Sequence, residues 1–459
     1  MKSIMKYAIK SYNRIPLKVL NFFAPVYNLL PDSIRFTKVF SKEWNNLNQI
    51  SKMPEDVIHE ETEKKIQEII MYSYKHVPYY KALFDRIGLN PSSIKTKEDL
   101  QQIPFLTKEE MLAHEEELIS DEFNKNDLIY ITTSGTTGIP AGFYVEKDSH
   151  MRDWAYMYYA FKEFGLTPKS KKLVLRGKVF REQKKGKKYQ WDAFKRELSV
   201  NIFSMNDECL EEYCYAIEKY KPDFAYGYIS AMYVLCKYIK RRGGINHVFK
   251  GFISISENIV DEQRYFIENI LNIPVLTFYG MSERVIWATE RYCDKKYVVA
   301  PLYGVVELVD KNGNVISNYN ETGELVGTGL LNFGMPLIRY KTGDISSWHD
   351  EGVLNNIEGR WNYDQLVAND GSLISMTALN MHSEVFKNVI RYQMYQTIPG
   401  EVTIRVVPSK NYSIMDRTNI LRQFQMKTGK SIKYKCEEVS SIQPNKNGKL
   451  SIVNQNIKL

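Results

Sequence analysis

From residue 128 to about residue 350, short apolar runs that end in polar residues alternate with stretches of helical spacing. Lys172-Leu173-Val174-Leu175, Phe252-Ile253-Ser254-Ile255 and Val275-Leu276-Thr277-Phe278 are such runs. They are too short for helices and too continuously apolar for a one-faced sheet, so they predict buried strands. Between them, Glu211 to Tyr220 reads as a helix that stops before Pro222, and Ser230 to Arg241 as a second that ends at Gly243-Gly244. This alternation predicts an α/β fold, in which ligand-binding residues gather at the carboxyl ends of strands.

The first of these strands carries the most informative segment. Leu128-Ile129-Tyr130-Ile131 leads into Thr132-Thr133-Ser134-Gly135-Thr136-Thr137-Gly138-Ile139-Pro140, and Gly142-Phe143-Tyr144-Val145-Glu146 reads as a second strand. A loop of hydroxyls and glycines can wrap its N–H groups around an anion, and a phosphate chain is the natural ligand. No Gly-Lys-Ser/Thr follows at P-loop spacing, which argues against a P-loop NTPase. Three later constellations fit a nucleotide. Tyr279-Gly280-Met281-Ser282-Glu283 offers an aromatic face, a glycine for close approach and a carboxylate suited to Mg²⁺. Tyr340-Lys341-Thr342-Gly343-Asp344 places a carboxylate after a turn, where it can grip ribose hydroxyls. Ile442 to Lys449 presents a lysine on a Pro/Gly-bounded loop.

Elsewhere, residues 55 to 122 read mostly as helix, with a capping box from Thr107 to Glu110. Val305 to Val309 and Val315-Ile316, joined by Asp310-Lys311-Asn312-Gly313, predict a hairpin. From about Arg360, strand-like runs such as Val402 to Val407 alternate with one helical stretch, Met415 to Met426. The expected units are a helical segment over 1–54, a large domain over 55–359 that carries these nucleotide-suited motifs, and a small C-terminal domain over 360–459.

Composition narrows the class. An apolar fraction of 44% and a charged fraction of 25% suit a soluble globular chain. The five cysteines form no CxxC pair and the seven histidines no metal spacing, so reduced thiols and a cytoplasmic location are expected. A net charge of +8 without interleaved stacking aromatics argues against nucleic-acid binding. In the first 38 residues, Lys2, Lys6, Lys10, Arg14, Lys18, Arg35 and Lys38 face one acid, Asp32, amid Phe22, Phe23, Tyr27 and Leu29. That segment either packs on its own domain or rests on the inner face of an anionic membrane. A second basic run spans Arg176 to Lys188.

Taken in order, these motifs resemble the adenylate-forming superfamily of acyl-CoA synthetases, in the branch of phenylacetate-CoA ligase and the CapK-like proteins of capsular polysaccharide biosynthesis. Leu175-Arg176-Gly177, Tyr226 to Leu235 and Ser256-Glu257 look like that branch's patterns. The resemblance implies a large N-terminal α/β domain with a β-rich subdomain and a small mobile C-terminal α+β domain. It implies that Ser134, Gly135, Thr136, Thr137 and Gly138 cradle ATP phosphates, and that Ser256, Glu257, Tyr279 and Gly280 line the adenine site. Glu283 would hold Mg²⁺, Asp344 the ribose, with Arg360 nearby, and Lys449 would enter for adenylation. Thr137, Glu283 and Lys449 are then the catalytic residues. The implied reaction joins a carboxylic acid to ATP and passes the acyl group to a thiol (CoA among them), an amine or a sugar hydroxyl. Two other readings are a nucleotidyltransferase resembling the coenzyme F390 synthetases, and a nucleotide-binding scaffold. Ile139 replaces a lysine many members carry, Ile229 stands where the branch has proline, and the acidic hinge pair after Arg360 is blurred. Trp154, Tyr158, Tyr228 and Trp287 are candidates for the acid pocket.

Overall fold

A computed structural model of the protein describes residues 15–30, 35–134, 140–180, 186–359, 365–379, 384–442, 452–455 and 457. Among the described residues five α-helices come first: α1 (Leu17–Leu29), α2 (Lys38–Ile50), α3 (Glu55–His76), α4 (Pro78–Ile87) and α5 (Lys108–Ala113). Local chemistry sets their ends. Thr37 accepts from Phe40 N at the start of α2, and the expected capping box of Thr107 and Glu110 opens α5. Strands β1 (Leu128–Ser134) and β2 (Pro140–Glu146) then form an antiparallel hairpin in register from Leu128↔Glu146 to Ser134↔Pro140.

After α6 (Ser149–Ala160) the chain lays down β3 (Lys172–Leu175), β4 (Tyr189–Asp192) and β5 (Glu197–Val200). Next come α7 (Asp207–Tyr220), β6 (Phe224–Gly227), α8 (Ile229–Arg242), β7 (Gly251–Ser254), α9 (Asp261–Leu271) and β8 (Val275–Gly280). Strands β8, β7, β6, β3 and β5 are parallel neighbours, with β4 an antiparallel edge. Strand alternation feeds both faces of this half. Leu173, Leu175, Ala225 and Phe252 pack with Leu210, Ile217 and Leu235 of α7 and α8. Phe224, Tyr226 and Ile253 pack with Phe40 and Leu47 of α2 and with Tyr156 and Phe161, from α6 and just after it. Gly227 (φ +152°) is required here, because a Cβ would meet the Leu175 carbonyl oxygen at 2.1 Å.

The other half of the same twelve-stranded sheet is antiparallel: β9 (Trp287–Glu290), β10 (Tyr297–Val299), β11 (Gly304–Val309), β12 (Thr322–Gly329), β13 (Tyr340–Asp350) and β14 (Val353–Leu354). It shares a core with α3 and α4 through Ile66, Ile69, Phe84, Leu308, Leu325 and Tyr340. The hairpin expected at 305–316 forms, with a short second arm. Asp310 builds the turn, accepting from Asn312 N and Asn314 N, and Val315 makes a single bridge with Val309. Ile316 N–H donates to the Leu308 carbonyl at 2.8 Å, and on its other edge β11 pairs along all six residues with Thr322–Gly329.

Strands β15 (Gln365–Val367) and β16 (Leu373–Ser375) and the turn α10 (Met376–Leu379) lead to a separate four-stranded sheet. Its strands are β17 (Val389–Ile398), β18 (Glu401–Pro408), β19 (Lys433–Glu438) and β20 (Val453–Gln455), with α11 (Ile414–Thr428) packed through Ile420 and Phe424. Among the described residues no helix is long and apolar enough to cross a membrane.

One buried ion pair ties the connection between α4 and α5 to the antiparallel half. Arg339 donates to both carboxylate oxygens of Glu307 at 2.9 and 2.8 Å, and to the carbonyl of Ile103 at 2.7 Å. Both side chains are nearly inaccessible to water. Removing one partner strands a buried charge, which costs about 3–5 kcal/mol. Arg339→Ala is therefore expected to lower the melting temperature sharply, and chemical denaturation should show a loss of that size; a change under about 1 kcal/mol would show that water reaches the pair.

Candidate active site at the strand ends

The parallel strands end side by side at Leu175, Gly227, Ser254 and Gly280. Beyond β7 the chain turns at Ser256, which is exposed with φ +59°, a left-handed conformation uncommon for serine. The next residue, Glu257, is held at the start of α8. It accepts from Ser230 N and Ser230 Oγ, both at 3.0 Å, and from the Ser375 hydroxyl. Burial raises its pKa, and the three donors oppose the rise. Glu257 thus joins a helix N-terminus of the large sheet to the segment that leads to the four-stranded sheet. Asn258 extends this connection. Its amide exchanges two hydrogen bonds of 3.3 Å with the backbone of Gly359.

Beyond β8, Tyr279 is half-buried and donates to Asp344 Oδ2 at 2.6 Å. Burial, then the Asp344 charge, push the phenol well above its ordinary range, so it stays a donor. Asp344 reaches this position because β13 is irregular there. The β12–β13 register shifts between Glu324 and Val326, and Gly343 takes φ +73° with its N–H on Glu324 Oε1 at 2.8 Å. Such bulges re-aim a side chain, and here the aim is completed by the Asp344 N–H on Thr342 Oγ1. Glu283 lies in the β8–β9 turn, buried, and accepts from Tyr340 at 3.3 Å. Its charge also reaches Tyr279. Gly280 is exposed beside them. The sequence-predicted Tyr279, Gly280, Glu283 and Asp344 therefore share one neighbourhood.

The β1–β2 hairpin is fixed at its base. Glu146 holds Arg152 at 2.9 Å and the Phe333 N–H at 3.0 Å. Ser134 closes the described part opposite Pro140. Gly135, Thr136, Thr137 and Gly138, together with Arg360 and Lys449, lie outside the described residues.

The pocket candidates fall into three settings. Tyr158 and Trp154 of α6 stack at 5.7 Å beside Tyr226, and Tyr158 receives a 2.9 Å hydrogen bond from the buried Lys172. Tyr228 donates to the Thr377 carbonyl at 3.3 Å. Trp287 is buried against Phe278, 4.2 Å between ring centres. Sequence reasoning missed Asn258 and Ser375, and gave no role to Thr342 within its Tyr340–Asp344 motif. Asn258 lies two residues past Ser256, next to a signal; Ser375 lies next to none.

The C-terminal segment is seated closely over these strand ends. Gly177 has no room for a side chain, since a Cβ would meet the Ala378 carbonyl oxygen at 2.0 Å. Lys427 of α11 donates to the same carbonyl at 3.2 Å. Burial, then the nearby Arg176 charge, lower its pKa from 10.5 to about 8. Lys387 lies 5.5 Å from the ring centre of Tyr130 in β1.

A family model described as the CapK C-terminal domain matches residues 366–456. Protein CapK of Staphylococcus aureus is 24% identical, and the alignment covers 97% of this chain and 99% of that protein. A phenylacetate-coenzyme A ligase of Pseudomonas putida is 24% identical over 63% of this chain and 66% of its own length. Among solved structures, a 2-hydroxyisobutyryl-CoA ligase with 2-HIB-AMP and CoA in the thioesterification state superposes with a TM-score of 0.55 at 19% identity, over 88% of this chain and 91% of that one. The same ligase in a postadenylation state gives 0.54 at 16% identity, over 88% and 90%. The protein has the fold of the adenylate-forming CoA ligases. It is a relative of CapK and of the phenylacetate-coenzyme A ligases, and these likenesses support an AMP-forming acid ligase.

The lysine at the seam gives a pH prediction. With the C-terminal segment seated, Lys427 loses its proton near pH 8; in the unfolded chain it keeps its proton to about 10.4. Between those values the folded state binds fewer protons, so stability rises with pH, and the cost of the buried charge is fully present below about pH 8. The melting temperature of the wild type should gain on that of Lys427→Met as pH climbs from 7 toward 10. Parallel pH curves for the two proteins would contradict the assignment.

Proposed function

We propose that the protein is an ATP-dependent, AMP-forming ligase that activates a carboxylic acid as an acyl-adenylate and passes the acyl group to an acceptor. The observation that carries this reading is the 2.6 Å hydrogen bond from Tyr279 to Asp344, with Glu283 beside them. It brings together two motifs far apart in sequence, each suited to one part of a nucleotide. Tyr279 offers a ring face to a base, and Asp344 offers its carboxylate to ribose hydroxyls. Glu283 offers one oxygen donor to a hard cation, the sparse protein ligation typical of Mg²⁺ bound with phosphates and water. Mg²⁺, when bound, neutralises phosphate charge.

In this reading the loop from Ser134 to Gly138, with Thr137 in it, aligns the phosphates, and the carboxylate oxygen of the acid attacks the α-phosphorus. Pyrophosphate leaves. Lys449 supplies positive charge where negative charge develops, and Arg360 lies close to the ribose. The residues from 360 to 459 form a unit that must leave its seat for an acceptor to enter, pivoting next to Gly359. The Asn258–Gly359 hydrogen bonds and the tight Gly177–Ala378 contact are then what the pivot holds and releases. The acceptor carries a thiol, amine or sugar hydroxyl, with CoA one candidate, and the biological setting is surface-polysaccharide synthesis. The relationship to CapK over nearly the whole chain supports that setting.

Lys449→Ala should cut adenylation by about a hundred- to thousand-fold, the cost of removing one transition-state charge contact, with unchanged melting. Full activity in that variant would overturn the role of Lys449. Glu283→Gln keeps an acceptor for Tyr340 but loses the charge. It should raise the Mg²⁺ concentration needed for half-maximal pyrophosphate release while sparing metal-free ATP binding. An unchanged Mg²⁺ dependence would move the metal to another carboxylate.

A further inference from the structure

The first helix is built inside out. On a helical wheel, Leu17, Leu20, Asn21, Ala24, Tyr27 and Asn28 of α1 share one side, and that side faces the protein. It is the more polar side. Asn21 donates to the Trp191 carbonyl at 3.0 Å and accepts from Ala193 N at 2.8 Å. Seven residues on, Asn28 donates to the Ala193 carbonyl at 2.9 Å and accepts from Arg196 Nε at 3.2 Å. Tyr27 stacks on Phe194, 4.4 Å between ring centres. The helix is thus fixed to the β4–β5 hairpin at the edge of the large sheet.

The opposite side carries Val19, Phe22, Phe23, Val26 and Leu29, with Leu30 just beyond the helix end. All are exposed, Phe22 at 78%, Val26 at 68% and Leu29 at 85%. These spacings of three and four residues make one continuous stripe along the helix. No acidic residue interrupts it, and its one charge is Lys18 at the rim. An apolar stripe presented to water by a helix whose polar residues are spent on anchoring is not what packing on this chain alone would leave.

Charge decides what covers it. The first 38 residues hold seven basic side chains and one acid. Exposed Lys195 lies on the hairpin that anchors the helix, and Lys18 is exposed at the rim of the stripe. A second copy seated stripe-to-stripe would bring Lys18 and Lys195 toward the same cations of its partner, and like charges there repel. An anionic lipid surface instead meets the apolar stripe with acyl chains and the rim with headgroup charge.

We propose that α1 is an in-plane anchor that seats the protein on an anionic membrane surface. Its stripe enters the headgroup–acyl boundary, and the β4–β5 hairpin transmits the attachment to the large sheet. This inference is independent of the catalytic reading.

The test is co-sedimentation of the full-length protein with vesicles of phosphatidylcholine, alone or mixed with phosphatidylserine. The wild type should bind the mixed vesicles, more weakly as salt rises, and bind phosphatidylcholine alone poorly. The variant F22Q/V26Q/L29Q should lose roughly tenfold or more of that binding, while keeping its melting temperature, because the anchoring face is untouched. In F23W, the tryptophan emission should shift to the blue when mixed vesicles are added. Failure of the wild type to bind, or equal binding by the triple variant, overturns the proposal. So does a lipid-free dimer of the wild type that the triple variant breaks, since the stripe would then belong to a second copy.

Discussion

The architecture of the site depends on one carboxylate, Glu257. Its two oxygens hold the start of α8 through Ser230 and receive the hydroxyl of Ser375 from the C-terminal segment. A carboxylate at a helix N-terminus is favoured by the unpaired N–H groups and dipole there. Burying it costs free energy, which its three donors offset. Because the strand before it ends at Ser254 and the residue after it, Asn258, binds Gly359, one short turn fixes the sheet, a helix and the junction to the last 100 residues at once. In this structure Glu257 acts as a positioning residue. Its oxygens face protein donors, and in the reading we propose the nucleotide meets Tyr279 and Asp344.

The opposite side of the site is built by an irregular strand. Asp344 would follow the regular pleat of β13 if Gly343 could not take a positive φ and the β12–β13 register did not shift. The bulge and the Tyr279 hydroxyl together decide where the carboxylate points. The parallel half of the sheet thus supplies Tyr279, the antiparallel half Asp344, and the turn that joins the halves supplies Glu283.

Much of this was legible in the sequence where the signal was local. Apolar runs at 172–175, 252–255 and 275–278 became β3, β7 and β8, and Thr107 capped its helix as its spacing required. The described ends of the hydroxyl-rich segment, Ser134 and Pro140, pair across β1 and β2. The turn at Asp310–Gly313 formed with a short second arm, and the longer β12 fills the other edge of β11. The failures were long-range. The pairing of Asn258 with Gly359 and of Glu257 with Ser375 joins residues about 100 positions apart, and no periodicity announces such a contact. The faces of α1 were legible only in part. Its basic and aromatic content stood out, but which side meets the protein depends on the hydrogen bonds of Asn21 and Asn28.

Isotope transfer reads out the proposed attack of a carboxylate oxygen on the α-phosphorus of ATP. A panel of carboxylic acids labelled with heavy oxygen in the carboxyl group, incubated with enzyme, ATP, Mg²⁺ and a strong amine or thiol acceptor, should give AMP carrying one labelled oxygen for the acids that are turned over. That label can arrive only through an acyl-adenylate whose acyl group has moved on. Turnover that leaves AMP unlabelled, or that leaves AMP covalently attached to the product, would contradict the account.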